Sequence, residues 1–215
     1  MSDNWNDAKI KGTYASTYYT ETATITDPTG KWYVNNNSTD QSFGTALNRL
    51  YIKDGKNSQG DGSLICTDYI PFTTGINFVF SLRMDGIGQS NKFMNAGIYY
   101  GEGNYRAIGV KNGFYNIWGP DKEAEFNGSH YQALPMPIGA IHTMRIQYWL
   151  LGTRWRWDYF LNEIWIAGHY APDNEHRLGP GLFQNNQARI EFCWGTFVDG
   201  LETEGFFGTY TVNTF

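Results

Sequence analysis

The stretch His142–Tyr170, HTMRIQYWLLGTRWRWDYFLNEIWIAGHY, decides how this chain folds. Met144, Ile146 and Tyr148 alternate with Arg145, Gln147 and Trp149; Trp155, Trp157, Tyr159 and Leu161 alternate with Arg154, Arg156, Asp158 and Phe160. A period of two puts one set on a buried face of a sheet and the other set on the opposite face. Breaks at Leu151-Gly152-Thr153 and at Asn162-Glu163 divide the stretch into three short strands in succession. The second set carries ionisable groups in mid-strand, so it supplies candidate site residues as well as a fold signal.

The same pattern recurs on both sides. Phe78, Phe80, Leu82 and Met84 alternate with Val79, Ser81 and Arg83. Asn95–Tyr100, Tyr105–Val110 and Phe114–Trp118 read as a meander turning at Lys111-Asn112-Gly113, because Asn-Gly between alternating runs is a strong hairpin signal. Ala46–Ile52, Ser63–Ile70, Ala188–Gly195 and Gly208–Phe215 are further strand candidates, while 119–141 and 171–187 are loop-like. No helix of useful length and no internal repeat is recognisable. Residues 1–40 are polar and read as an N-terminal arm or edge strand ahead of a β-sandwich domain over 41–215.

Composition supports that division. The 215 residues suffice for one large all-β domain, and the 17% aromatic content suits pleated surfaces. A net charge of −5 argues against nonspecific nucleic-acid binding, which needs clustered Lys and Arg. Cys66 and Cys193 define neither a disulfide framework nor a zinc pattern, and both read as buried thiols. No stretch approaches the length of a membrane span. The start, MSDNWNDAKIKG, lacks the basic and apolar regions of a signal peptide. The expected placement is therefore extracellular, as a mature domain, or on a virion surface.

His142-Thr-Met-Arg-Ile-Gln, Trp157-Asp-Tyr-Phe-Leu-Asn, Ile164-Trp-Ile-Ala and Ala188-Arg-Ile-Glu-Phe together resemble the late strands of the concanavalin A-like lectin/glucanase superfamily. The resemblance covers residues 40–215, with Glu163 standing where that family's turn usually has Gly. It implies an all-β, two-sheet antiparallel β-sandwich of jelly-roll form, and a concave sheet able to receive a glycan. Arg83, Arg145, Gln147, Arg156, Asp158, Arg189 and Glu191 are then candidate ligand-binding residues, provided their strands share one sheet. Guanidinium forks, amides and carboxylates match sugar hydroxyls, and Arg grips an acidic sugar bidentately. Tyr115, Trp118, Trp149 and Trp155 are candidate stacking rings. The plainer reading of this set is a solvated, cross-paired sheet face.

Catalysis is not expected. Glucanases of the superfamily carry Glu-x-Asp-x-Glu or a longer variant, and no Asp here has a Glu two residues before it. Asp158 with Glu191 is the one carboxylate pair worth considering, and it depends on strand adjacency. Asp54, Asn57 and Asp61 offer oxygen atoms of the kind Ca²⁺ prefers, but an ordinary Asx/Gly turn explains them, and no cofactor is expected. The expected function is a non-catalytic carbohydrate-binding or surface-assembly protein, in the manner of a virion decoration or receptor-binding subunit. Its partners would be a glycan or neighbouring subunits, with neither nucleic acid nor membrane. Homo-oligomers would form through the N-terminal arm. A polysaccharide hydrolase or lyase and a purely structural subunit are the alternatives.

Overall fold

The computed structural model describes residues 2–3, 11–14, 23–26, 32–36, 41–46, 49–54, 60–66, 69–85, 92–99, 105–118, 136–171, 187–196 and 203–215. These form strands and turns, with no helix among them, and so none long and apolar enough to cross a membrane. The strands are β1 (Ser2–Asp3), β2 (Lys11–Tyr14), β3 (Ala23–Thr26), β4 (Trp32–Asn36), β5 (Gln41–Ala46), β6 (Arg49–Asp54), β7 (Gly60–Cys66) and β8 (Ile70–Pro71). They continue as β9 (Gly75–Asp85), β10 (Lys92–Tyr99), β11 (Tyr105–Lys111), β12 (Phe114–Trp118), β13 (His142–Leu151), β14 (Arg154–Leu161), β15 (Ile164–Tyr170), β16 (Gln187–Thr196) and β17 (Thr203–Thr214).

Two antiparallel sheets stack into a sandwich. The ten-stranded sheet runs β15-β14-β13-β9-β17-β6-β5-β2-β3, with β1 added to β17. The seven-stranded sheet runs β12-β11-β10-β16-β7-β4, with β8 added to β16. The described strands of residues 1–40 pair within the chain: β1 on β17, β2 and β3 beside β5, and β4 beside β7.

Alternation explains why the sheets face each other as they do. Phe78 and Phe80 on β9, Ile146 on β13, Tyr159 on β14 and Tyr210 on β17 are buried and project from the ten-stranded sheet into the core. From the seven-stranded sheet, Met94, Ala96, Ile98, Ile108, Ile190, Phe192 and Trp194 meet them. The Phe192 ring abuts Phe78 and Phe80 edge-on at 5.7 and 6.2 Å, an arrangement that suits the ring quadrupoles. Aromatic content is thus spent at the centre of the sandwich.

The quoted stretch forms its three strands with both breaks where the sequence put them. Gly152 has φ 66°, as a tight connection requires. At the second turn both Asn162 (φ 48°) and Glu163 (φ 65°) are left-handed, the geometry of a two-residue hairpin loop. Asn162 compensates by accepting the Thr143 N–H through Oδ1 at 3.0 Å. Glu163 therefore keeps the backbone form that Gly would adopt more easily. The Asn112-Gly113 turn between β11 and β12 uses the same pair of positive φ values, 54° and 79°.

Candidate functional site

The outward residues fall on two faces that point in opposite directions. Arg83, Arg145, Gln147, Trp149, Arg156 and Asp158 lie on the outer face of the ten-stranded sheet. Arg189, Glu191 and Trp118 lie on the outer face of the seven-stranded sheet. The single row expected from sequence is thus two rows, because β16 pairs with β10 and β7 rather than with β9, β13 or β14. Asp158 and Glu191 stand on opposite sides of the sandwich and cannot act as a carboxylate pair.

On the ten-stranded face the charged groups are engaged with one another. Asp158 is 5% exposed, and its Oδ2 accepts Trp149 Nε1–H at 2.7 Å. Its Oδ1 accepts Trp165 Nε1–H at 2.8 Å and Arg156 Nε–H at 3.0 Å. Gly168, opposite Asp158 on β15, leaves room for this cluster, since a Cβ there would collide with Asp158 Oδ1. Arg145 lies over the Phe160 ring at 3.4 Å, donates to Gln147 Oε1 at 3.4 Å and reaches Glu163 at 3.3 Å. Arg83 pairs with Asp85 at 2.6 Å and lies over the Phe206 ring at 5.6 Å. This is a cross-paired face of the kind that stabilises sheets.

Two candidate rings belong to the interior side. Tyr115 is buried, with its hydroxyl 2.9 Å from His142 Nδ1, and burial raises the Tyr115 pKa and lowers that of His142. Trp155 stacks on Tyr148 at 4.7 Å and meets the edge of Phe72 at 5.9 Å. Neither ring is on an outer face, as their parity with Ile117 and with Trp157 dictates.

The seven-stranded face has a different character. Ser63, Asn95, Asn116 and Glu191 are buried polar residues on its outer side. Register aligns Asn116, Gly109, Asn95, Cys193 and Ser63 in one row across five strands. Beside it run Trp118, Ala107, Gly97 and Glu191. Gly97 and Gly109 are required, because a Cβ at either would collide with the backbone of the neighbouring strand. Rings stand at the margins: half-buried Trp118 on β12 and exposed Tyr69, under the Arg189 guanidinium at 4.0 Å. A floor of small residues, central amides and marginal rings is chemically suited to a polar, ring-shaped ligand.

Sequence reading passed over Asn95, Asn116 and Trp165. The first two sit in β10 and β12, where apolar residues occupy both parities and alternation is muted. Trp165 shares its parity with inward Ala167 and His169, yet it is 52% exposed on the outer face. The cause is a bulge: Tyr159 pairs with Ala167 and Phe160 with Trp165, so Ile166 is skipped.

The proposed metal ligands are only partly placed. Asp54 ends β6 in the ten-stranded sheet, Asp61 belongs to β7 in the other, and Asn57 lies outside the described residues. Among the described residues no three His, Cys, Asp or Glu side chains cluster. Cys193 is a buried thiol.

Two stacked antiparallel sheets with this topology define a concanavalin A-like lectin/glucanase fold. No family model and no curated protein matches the sequence. Among solved structures, the chain is similar to the endo-1,3-beta-glucanase from Streptomyces sioyaensis, with TM-score 0.62 and 9% identity over 100% of this chain and 95% of the other. The carbohydrate recognition domain of Emp46p matches with TM-score 0.58 and 10% identity, over 88% of this chain and 92% of that one. Lectin UEA-II, solved with galactose, matches with TM-score 0.52 and 9% identity over 85% and 93%.

Proposed function

We propose that the protein is a non-catalytic carbohydrate-binding β-sandwich that holds a glycan against the outer face of its seven-stranded sheet. The observation that carries this reading is the contrast between the two outer faces. On one, Asp158 is occupied by Arg156 and two indoles, Arg145 by Gln147, Glu163 and Phe160, and Arg83 by Asp85 and Phe206. On the other, the Asn95 and Asn116 amides lie between marginal rings over a glycine floor. Lectin and glucanase structures of the same fold make a glycan the natural ligand class.

Hydrolysis is the competing reading. Retaining and inverting glycosidases hold two carboxyl groups roughly 5–9.5 Å apart. Among the described residues of the seven-stranded sheet, Glu191 and Asp61 are the carboxylates. Asp61 is paired with Gly195, four residues along β16 from Glu191, or about 13 Å in the strand direction at ~3.3 Å per residue. Measured along the backbone, those two positions are farther apart than such a pair, which supports binding. The similar structures named above are a lectin, a recognition domain and a glucanase rather than virion proteins, which supports an extracellular setting.

A glycan array, followed by reducing-sugar and unsaturated-uronate assays on whatever is retained, tests the reading. Retention without turnover is expected. Turnover of any polysaccharide, or retention of none, would overturn it.

A further inference from the structure

Asn95 stands at the centre of the seven-stranded face, opposite Gly109 of β11 and Cys193 of β16. It is 1% exposed, and among the described residues neither its Oδ1 nor its Nδ2 has a hydrogen-bond partner. A buried polar group left unpaired destabilises the fold, whereas an apolar side chain of similar shape does not. Asn95 is therefore a poor choice for the unliganded fold at this position.

Its surroundings suggest what the amide is for. Phe93 lies two residues before Asn95, and Trp118 two residues after Asn116, which faces Gly109. The diagonal from Phe93 to Trp118 thus passes over Gly109, where no side chain intervenes. The two rings meet with centroids 6.5 Å apart, on the outer face that Asn95 shares. Phe93 is buried and Trp118 half-buried, so the indole is the more readily displaced of the two.

We propose that Asn95 is the specificity-determining residue of this face, reading two adjacent hydroxyls of a neutral sugar, while Trp118 swings off Phe93 to stack on the sugar ring. The inference rests on the carbohydrate-binding reading above. One hydroxyl donates to Oδ1 and its neighbour accepts from Nδ2, which satisfies both orphaned atoms at once. The Glu191 carboxylate and the Arg189 and Lys111 cations share this outer face, so no single sign of charge dominates around the amide, which suits a neutral sugar. The cost carried by the empty protein becomes selectivity, because a ligand lacking the hydroxyl pair leaves the amide unmet.

The test uses Asn95→Leu and Trp118→Ala, with thermal unfolding and retention on immobilised β-1,3- and β-1,4-gluco-oligosaccharides and galactosides. Asn95→Leu is expected to melt higher than the parent protein and to bind the retained glycan at least about tenfold more weakly, equivalent to ~1.4 kcal/mol. Trp118→Ala, a change at a half-buried position, is expected to weaken the same binding by about tenfold as well. A lower melting temperature for Asn95→Leu, or undiminished binding by it, would overturn the role given to Asn95. Undiminished binding by Trp118→Ala would overturn the stacking role. A parent protein that retains none of these sugars fails the underlying reading and takes this inference with it. Retention that both variants preserve fails this inference alone.

Discussion

Asp158 accepts three hydrogen bonds from Trp149, Trp165 and Arg156 while almost fully buried, so its work is to hold β13, β14 and β15 together. Replacing it by Ala removes the Arg156 ion pair and takes the shared acceptor away from two indole donors. Asp158→Ala should therefore destabilise the fold by about 2–3 kcal/mol in urea unfolding and leave glycan retention by the folded protein unchanged. His169 makes a second prediction. Burial foremost, then the Arg106 and Arg156 charges, lower its pKa from 6.5 to about 4, with Asp158 opposing. Above pH 7 both folded and unfolded forms are neutral, and the group contributes nothing to the pH dependence. Below 6.5 the unfolded chain takes up a proton that the folded chain refuses, so stability falls as pH drops from 7 toward 4, by at most about 3 kcal/mol. His142, shifted the same way by burial, adds to that trend. Urea unfolding at pH 7 and pH 5 should show a smaller loss for His169→Gln than for the parent protein; an equal loss would remove His169 as the cause. At this scale the sequence exposed the outward charges but not their pairing. The bulge at Ile166 brings Trp165 to Asp158, and nothing in a two-residue period announces a skipped residue.

Among the elements, the three strands of His142–Tyr170 were fully legible, because apolar alternation, Gly152 and Asn162 agree on where chain direction reverses. Glu163 is the point of disagreement. Its φ of 65° is strained for a side chain that gains only an exposed ion pair with Arg145. Glu163→Gly should raise stability by about 0.5–1 kcal/mol, read as a higher urea midpoint at unchanged slope. A fall would mean that the Arg145 contact outweighs the turn strain. Gly109 predicts the opposite outcome for a glycine replaced. Gly109→Ala drives a Cβ into the Met94 carbonyl and the Asn95 backbone, so unfolding should come at lower denaturant by about 1–3 kcal/mol. The meander containing Gly109 was legible from Asn112-Gly113. The reason for its outward glycines was not, since close strand approach is a property of the assembled sheet.

For the whole molecule, alternation tells each residue whether it faces in or out but never which sheet it belongs to. Sheet membership is set by the chain crossing from β9 to β10, from β12 to β13 and from β15 to β16. That is why Arg189 and Glu191, read as neighbours of Arg145 and Asp158, stand on the far side of the sandwich. The sandwich itself was legible, because inward apolar residues recur at a period of two along the core strands. The division of its two surfaces, one self-paired and one polar over glycine, emerged only with the topology. That division carries the functional account, and hydrogen exchange with and without the best-retained glycan tests it most directly. The account predicts slowed exchange in β10, β12 and β16 of the seven-stranded sheet. Slowing confined to β13, β14 and β15 would contradict it.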